Sequence, residues 1–316
     1  MARYALTRAA LLVVGLAVAS ALIFFTLRVL PGDVAQMILG TEGTPAQAER
    51  IRQQLGLDRP AWEQYADWVG ALLRGDLGTS LVTGTPVAAE IADKAAVTLP
   101  LGVLSLLIAL AIAVPSGIAS AVYRRRAIGQ AISVGAQLTA AVPVVWAGMM
   151  LVVVFAVWLG WLPAQGFPRE GWADPEAALA ALALPALTIG VVEGAMLLRF
   201  VRSATLAAAG EDFVRTAAAQ GRTRTQALVR QGLPTVGLSI VTVLGLQIAG
   251  ILVGAVVIEQ VFALPGIGRM LVADVGARDL AKVQGELFVL TGVVLVVGFA
   301  VDLLHRGIDP RQRERS

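Results

Sequence analysis

The sequence has 316 residues, 57% of them hydrophobic and 15% charged, against roughly 25% charged in ordinary soluble domains. A mean hydropathy of +0.76 excludes a water-soluble globule, and the net charge of +3 sits in short Arg clusters between apolar blocks, which excludes a nucleic-acid-binding face. The absence of cysteine excludes disulfides, thiolate catalysis and Cys-ligated metal sites.

Arg3 and Arg8 precede an apolar run over residues 9–30, longer than the roughly 7–15-residue core of a removable signal peptide. A retained first transmembrane helix within residues 1–30 is therefore expected. Residues 31–96 form an external segment too long for a turn. Pro45 opens one short helix there, and a second begins after Pro60. In the second, Trp62, Tyr65, Trp68, Val69, Leu72 and Leu73 recur at three- and four-residue spacing, with Glu63, Gln64 and Asp67 elsewhere on the wheel. This pattern fits a helix lying in the outer interface, and equally a helix packed on the protein's own external surface.

Five further apolar blocks, at residues 97–122, 131–159, 179–198, 236–261 and 287–304, are each long enough to cross ~30 Å of hydrocarbon. The expected fold is an all-α membrane protein of about six transmembrane helices, its core over residues 97–310 and a tail at 311–316. Alternate connecting segments are rich in arginine: Arg3 and Arg8, then Arg124-Arg125-Arg126, then Arg199 to Arg230, then Arg306 to Arg315. The short intervening loops hold only Arg169, Arg269, Arg278 and Lys282. By the positive-inside rule both termini are cytoplasmic.

Few ionisable groups fall inside the blocks. Asp302 and Arg306 have the i, i+4 spacing of a helix-end ion pair. Glu193 lies within the fourth block, where a carboxylate is costly and faces a cavity or a partner. Glu193 and Gln247 are thus the candidate pathway residues, with a packing contact or a salt bridge to a partner subunit as the alternative for Glu193. Gly250 and Gly254 have the small-x-x-x-small spacing of close helix packing.

No phosphate-binding loop is present, and neither lysine, Lys94 or Lys282, follows a glycine. The single histidine, His305, lies at the edge of the last block, so no catalytic residues, metal site or bound cofactor are expected. If transport is ATP-driven, ATP and Mg belong to a partner chain.

Between the fourth and fifth blocks, residues 205–235 hold an Ala-rich helix former from Glu211 to Gly221 and a second from Arg222 to Pro234. A glycine ending an Ala-rich helix supplies a left-handed cap, so two short helices should meet at Gly221 and project into the cytoplasm. Such an elbow suits docking in another protein's groove.

These residues carry a resemblance. Ala217-Ala218-Ala219, Gly221 and Leu233-Pro234 are similar to the cytoplasmic loop of binding-protein-dependent ABC importer permeases, with Arg215-Thr216-Ala217 in place of the usual Glu-Ala-Ala opening. Leu30-Pro31-Gly32-Asp33, Leu55-Gly56-Leu57-Asp58-Arg59-Pro60, Gly75-Asp76-Leu77-Gly78-Thr79-Ser80, Glu211-Asp212-Phe213-Val214, Val261-Phe262 with Pro265-Gly266-Ile267-Gly268, and Asp309-Pro310-Arg311 extend it almost end to end. Together they resemble the B-type permeases of dipeptide and oligopeptide ABC importers, a family that also includes nickel, glutathione and haem carriers. The resemblance implies a type I importer fold, a second related permease (C-type), two ATPase subunits and an external solute-binding protein. It implies ATPase contact through Glu211, Asp212, Arg215, Thr216, Ala217, Ala218, Gly221, Arg222, Arg224 and Pro234. The loop with Phe262, Leu264, Pro265, Gly266 and Gly268, rigid at proline and free to turn at glycine, is expected to receive the binding protein together with residues 31–96. A self-contained secondary carrier would favour several intramembrane carboxylates; only Glu193 answers that description.

Overall fold

A computed structural model describes residues 2–29, 39, 44–54 and 56–308. The motifs at Leu30-Pro31-Gly32-Asp33, Leu55 and Asp309-Pro310-Arg311, and the tail at 311–316, lie outside the described residues. So do the side chains of Arg215, Ala218 and Arg224.

In chain order the helices are α1 (Ala2–Val29), α2 (Pro45–Gln54), α3 (Ala61–Leu73), α4 (Val87–Val122), α5 (Ala127–Ala141), α6 (Val144–Leu151), α7 (Pro175–Gly210), α8 (Asp212–Ala219), α9 (Arg224–Ala227), α10 (Leu233–Val261), α11 (Ile267–Ala277) and α12 (Leu280–Ile308). Among the described residues the only β pairing is an isolated bridge between Thr79 and Pro86. The stretches Arg3–Val29, Val87–Val122, Pro175–Gly210, Leu228–Val261 and Leu280–Ile308 are each long and apolar enough to cross a membrane.

The remaining span departs from expectation. Residues 131–159 were expected to form one helix, but α5 and the stretch Val144–Trp158 meet at 103°. Pro143 is the cause. Its ring bars Val142 from helical geometry, and Val142 is extended at φ −78°, ψ 126°. The broken pair nonetheless carries the chain across the bundle. Its start adjoins the end of α4, where Arg126 N–H donates to Tyr123 O at 2.8 Å. Just beyond its end, Gly166 N–H donates to Phe262 O at 2.8 Å, at the close of α10. Five helices among the described residues are long and apolar enough to cross a membrane, six if the bent pair counts as one span, with Arg124-Arg125-Arg126 marking a basic end of the bundle.

The core is a parallel pairing of α4 with α7, along which Ser105 and Ile108 meet Gly190, Ala109 meets Gly194 and Gly117 meets Val201. Ser105, Ala109, Ala113 and Gly117 form a buried stripe at four-residue spacing on α4. A Cβ added to Gly190 of α7 would come within 2.7 Å of Ile108, and one on Gly117 within 2.7 Å of Val201. The backbones approach so closely only because these residues are small. Gly250 and Gly254 of α10 face Glu193 and Ile189 of α7, which is the packing role their spacing predicts. Leu101, Leu182, Ile189, Ile251, Ile258 and Phe262 fill the core above them.

On the outer flank, α1 lies along α12. Tyr65 and Trp68 of α3 pack on Phe24, Trp68 also on Phe288, and the Tyr65 hydroxyl is 2.9 Å from Ser20 Oγ. Trp62 and Leu73 stay 67% and 84% exposed. The helix thus packs on the protein through one face while presenting apolar side chains outward with the other. The expected Asp302–Arg306 pair is not formed. Asp302 instead meets Arg8 of α1 at 3.0 Å, and the Arg306 guanidinium lies 4.2 Å from the Tyr4 ring centroid. Packing of α1 against α12 supplies partners that spacing along one helix does not reveal.

Candidate coupling and pathway sites

At the basic end, α7 stops where Glu211 turns extended, at ψ 147°. Helix α8 then runs to a Schellman-type close. Arg222 N–H reaches back to Ala217 O at 3.4 Å, and Gly221 sits at φ +92°, a left-handed conformation that a Cβ would strain. The next helix starts with a reciprocal capping box. Thr223 N–H donates to Gln226 Oε1, and Gln226 N–H donates to Thr223 Oγ1, each at 3.2 Å. Thr-x-x-Gln is a readable signal that sequence reasoning overlooked. A π turn over Leu228–Gly232 leads into α10. Pro234 explains the widened turn, because it has no N–H for the Arg230 carbonyl and its ring pushes that carbonyl aside.

Val214, Ala217 and Ala227 form the elbow's own small core, and Leu228 joins the cluster that includes Ala208 and Val201 of α7. The elbow is therefore packed onto the bundle. Glu211, Asp212, Thr216, Gln220 and Gly221 are exposed. Between α8 and the start of α10 lies a 560 Å³ cleft lined by Thr216, Ala217, Gln220, Arg230, Gln231, Pro234 and Thr235. The structure thus brings Thr216, Ala217 and Pro234 together in one concave surface. Glu211, Asp212 and Arg222 stand outside it.

At the opposite end, the loop after α10 is built around a carboxylate that sequence reasoning missed. Glu259 is fully buried. Its Oε2 accepts the Arg269 N–H at 3.0 Å and its Oε1 accepts the Thr98 hydroxyl at 2.6 Å, while Thr98 Oγ1 accepts the Ile267 N–H at 2.8 Å. Glu259 and Thr98 thereby satisfy the first amides of α11, an N-cap supplied by two other helices. A Cβ at Gly266 would lie 2.2 Å from the Glu259 carboxyl carbon, and one at Gly268 would lie 2.4 Å from Val256 Cα. Phe262 and Leu264 are 1% and 0% exposed. The expectation of a loop turning freely at its glycines is corrected: Gly266 and Gly268 are required by close approach, and the loop is fixed and largely interior.

Beside it, the Lys282 ammonium is 2.6 Å from Glu90 Oε2 and 3.0 Å from Asp274 Oδ2. Asp279 accepts the Ser80 hydroxyl and, at 3.2 Å, the Leu81 N–H. These contacts strap the Thr79–Pro86 turn to α4, α11 and α12. Glu286 is wholly buried next to them, with neither carboxylate oxygen hydrogen-bonded among the described residues.

Midway along α7 and α10, Gln247 Nε2 donates to Glu193 O at 3.1 Å and to the Glu193 carboxylate. Ionisable side chains at a helix centre cost about 2.5–3.5 kcal/mol on insertion scales. Here the carboxylate is held by an amide, and no basic side chain among the described residues pairs with it.

Comparison with known proteins agrees with this architecture. The family described as "Binding-protein-dependent transport system inner membrane component" matches residues 113–314, and its N-terminal companion family matches residues 1–102. The glutathione transport system permease protein GsiC of Escherichia coli O6:H1 (strain CFT073) is 36% identical over 313 residues, covering 99% of each chain. The proteins of the same name from Escherichia coli strain K12 and Salmonella choleraesuis are each 35% identical with the same coverage. Members of this family are non-catalytic membrane subunits that work with a solute-binding protein and ATPase subunits. The chain therefore belongs to the binding-protein-dependent inner-membrane transport family, as a multi-pass permease subunit of an ABC importer.

Proposed function

We propose that this chain forms half of the translocation pathway of an importer of di- and oligopeptides, a second related permease (C-type) supplying the other half. Glutathione, itself a small peptide, is the cargo named for the similar permeases and the first alternative to test; nickel or haem would use the same architecture. The arginine-rich end is cytoplasmic, as the positive-inside rule requires, so both termini face the cytoplasm.

The observation that carries the mechanism is the elbow, with its left-handed Gly221 and its cleft beside Thr216, Ala217 and Pro234. Two ATPase subunits, bearing ATP and Mg, dock on the two permeases, and on this chain the contact is residues 211–234. Glu211, Asp212 and Arg222 flank the cleft and fix the orientation of docking, and Arg215, Ala218 and Arg224 belong to the same surface. Because Leu228 packs into the bundle near Ala208, movement of the elbow reaches α7 and α10. ATP-driven closure of the ATPase pair shifts the bundle between inward- and outward-facing states by binding one more tightly than the other. Glu193 and Gln247 lie in the path.

At the far end, the binding protein rests on residues 31–96 and on the outer face of the Phe262–Gly268 loop. Phe262, Leu264, Gly266 and Gly268 act from within by holding that face in shape.

Reconstitution tests the whole reading. The complete complex in liposomes, supplied with ATP and binding protein, should accumulate labelled dipeptide, while this chain alone should not under any ion gradient. Gradient-driven uptake by the lone chain would overturn the reading in favour of a secondary carrier. Competition by glutathione, longer peptides and nickel would rank the cargoes.

A further inference from the structure

We infer that Glu193 is a specificity-determining residue that receives the protonated amino group of the cargo, so the pathway favours substrates bearing a free ammonium. This inference rests on the peptide-import reading above. The first support is an unmatched charge. Glu193 stands halfway along α7, opposite Gln247 halfway along α10, and among the described residues the Gln247 amide is the one side chain that hydrogen-bonds its carboxylate. The arginines of the same helix face elsewhere. Arg199 and Arg202, six and nine residues on, lie roughly 120° and 180° around the helix from Glu193.

The carboxylate is also placed. A Cβ at Gly250 would stand 3.0 Å from Glu193 Oε1, so the glycine leaves the room in which the acid sits while Gln247 holds its other oxygen. Toward the basic end the same two helix faces form a 250 Å³ groove lined by Phe200, Ser203, Ala204, Ser239, Ile240 and Val243. Phe200 and Ile240 are seven residues from Glu193 and Gln247, two turns along the same faces. A small peptide lying in this groove could place its ammonium on Glu193 and its apolar side chain against Phe200.

The donor set selects among cargoes. A divalent metal requires several ligands, and no group of three or more His, Asp or Glu residues suited to a metal occurs among the described residues. One carboxylate beside one amide suits an ammonium with its three donors.

The test uses the complete complex in liposomes with binding protein saturated by either alanyl-alanine or its N-acetyl form. Wild type should import the free-amino peptide about tenfold faster or more, the scale of a charge-assisted contact. Glu193→Gln should bring the ratio of free-amino to N-acetyl uptake down toward one, whatever it does to the absolute rates, with the second permease still co-purifying. Glu193→Asp should retain most of the discrimination. Equal discrimination in wild type and Glu193→Gln, or none in wild type, would overturn the inference. Loss of the second permease from purified Glu193→Gln would also overturn it, assigning Glu193 to a cation on that partner. Uptake of neither peptide by wild type would instead refute the peptide reading, and the inference with it.

Discussion

Gly266→Ala is a single-methyl change at a position whose φ is −96°, so backbone strain contributes nothing and the whole effect is spatial. The new Cβ would stand 2.2 Å from the Glu259 carboxyl carbon, and either the carboxylate or the loop must move. Moving the carboxylate removes the acceptor of the Arg269 N–H and of the Thr98 hydroxyl. An N-cap is worth about 1 kcal/mol, and stranding a buried polar group costs about 1–3 kcal/mol. A loss of about 3 kcal/mol follows. The assay is a double-mutant cycle on the detergent-solubilised complex, reading unfolding midpoints. Alone, Gly266→Ala should destabilise by that amount. In a Glu259→Ala background the collision has no partner, and the added cost should fall below about 1 kcal/mol, a clear failure of additivity. Additive effects, or an unchanged midpoint for Gly266→Ala, would refute the placement of Glu259 as the cap of α11.

Other residues give shorter tests. Gly190→Val should destabilise by about 1–3 kcal/mol through overpacking, since even a Cβ meets Ile108 at 2.7 Å; wild-type stability would mean that α4 and α7 are further apart. Lys282→Met should cost up to about 3 kcal/mol, as it leaves Glu90 and Asp274, 28% and 14% exposed, as partly buried charges without their cation, with thermal denaturation as the readout. Asp302→Asn should couple to Arg8→Gln by no more than about 1 kcal/mol, because the pair is 37% and 40% exposed. The same cycle between Asp302 and Arg306 should show no coupling.

Features written in consecutive residues were legible in the sequence. Spans follow from unbroken apolar length. The elbow follows from Gly221 ending an Ala-rich run, and α3 from its aromatic spacing. The bend at Pro143 was equally local: a proline inside a 29-residue apolar block signals a break, and length alone hid it. The Ser105, Ala109, Ala113 and Gly117 stripe had the small-residue spacing recognised at Gly250 and Gly254, and the many other glycines masked it. What was not legible is tertiary. The partners of Glu259 include Thr98, far away in sequence, and backbone amides of α11. Asp302 meets a helix at the other end of the chain, while an arginine one turn away offers the obvious wrong partner. The buried strap around Lys282 resembled loop charge until four segments met.

In the coupling proposed above, movement reaches the bundle through the elbow at Gly221. The most direct test is to measure peptide uptake and ATP hydrolysis in the same proteoliposomes carrying Gly221→Pro, whose fixed φ near −65° forbids the observed +92°. Membrane insertion and ATP hydrolysis should persist while uptake per ATP falls toward background. Normal uptake per ATP in that variant would show that coupling does not run through Gly221.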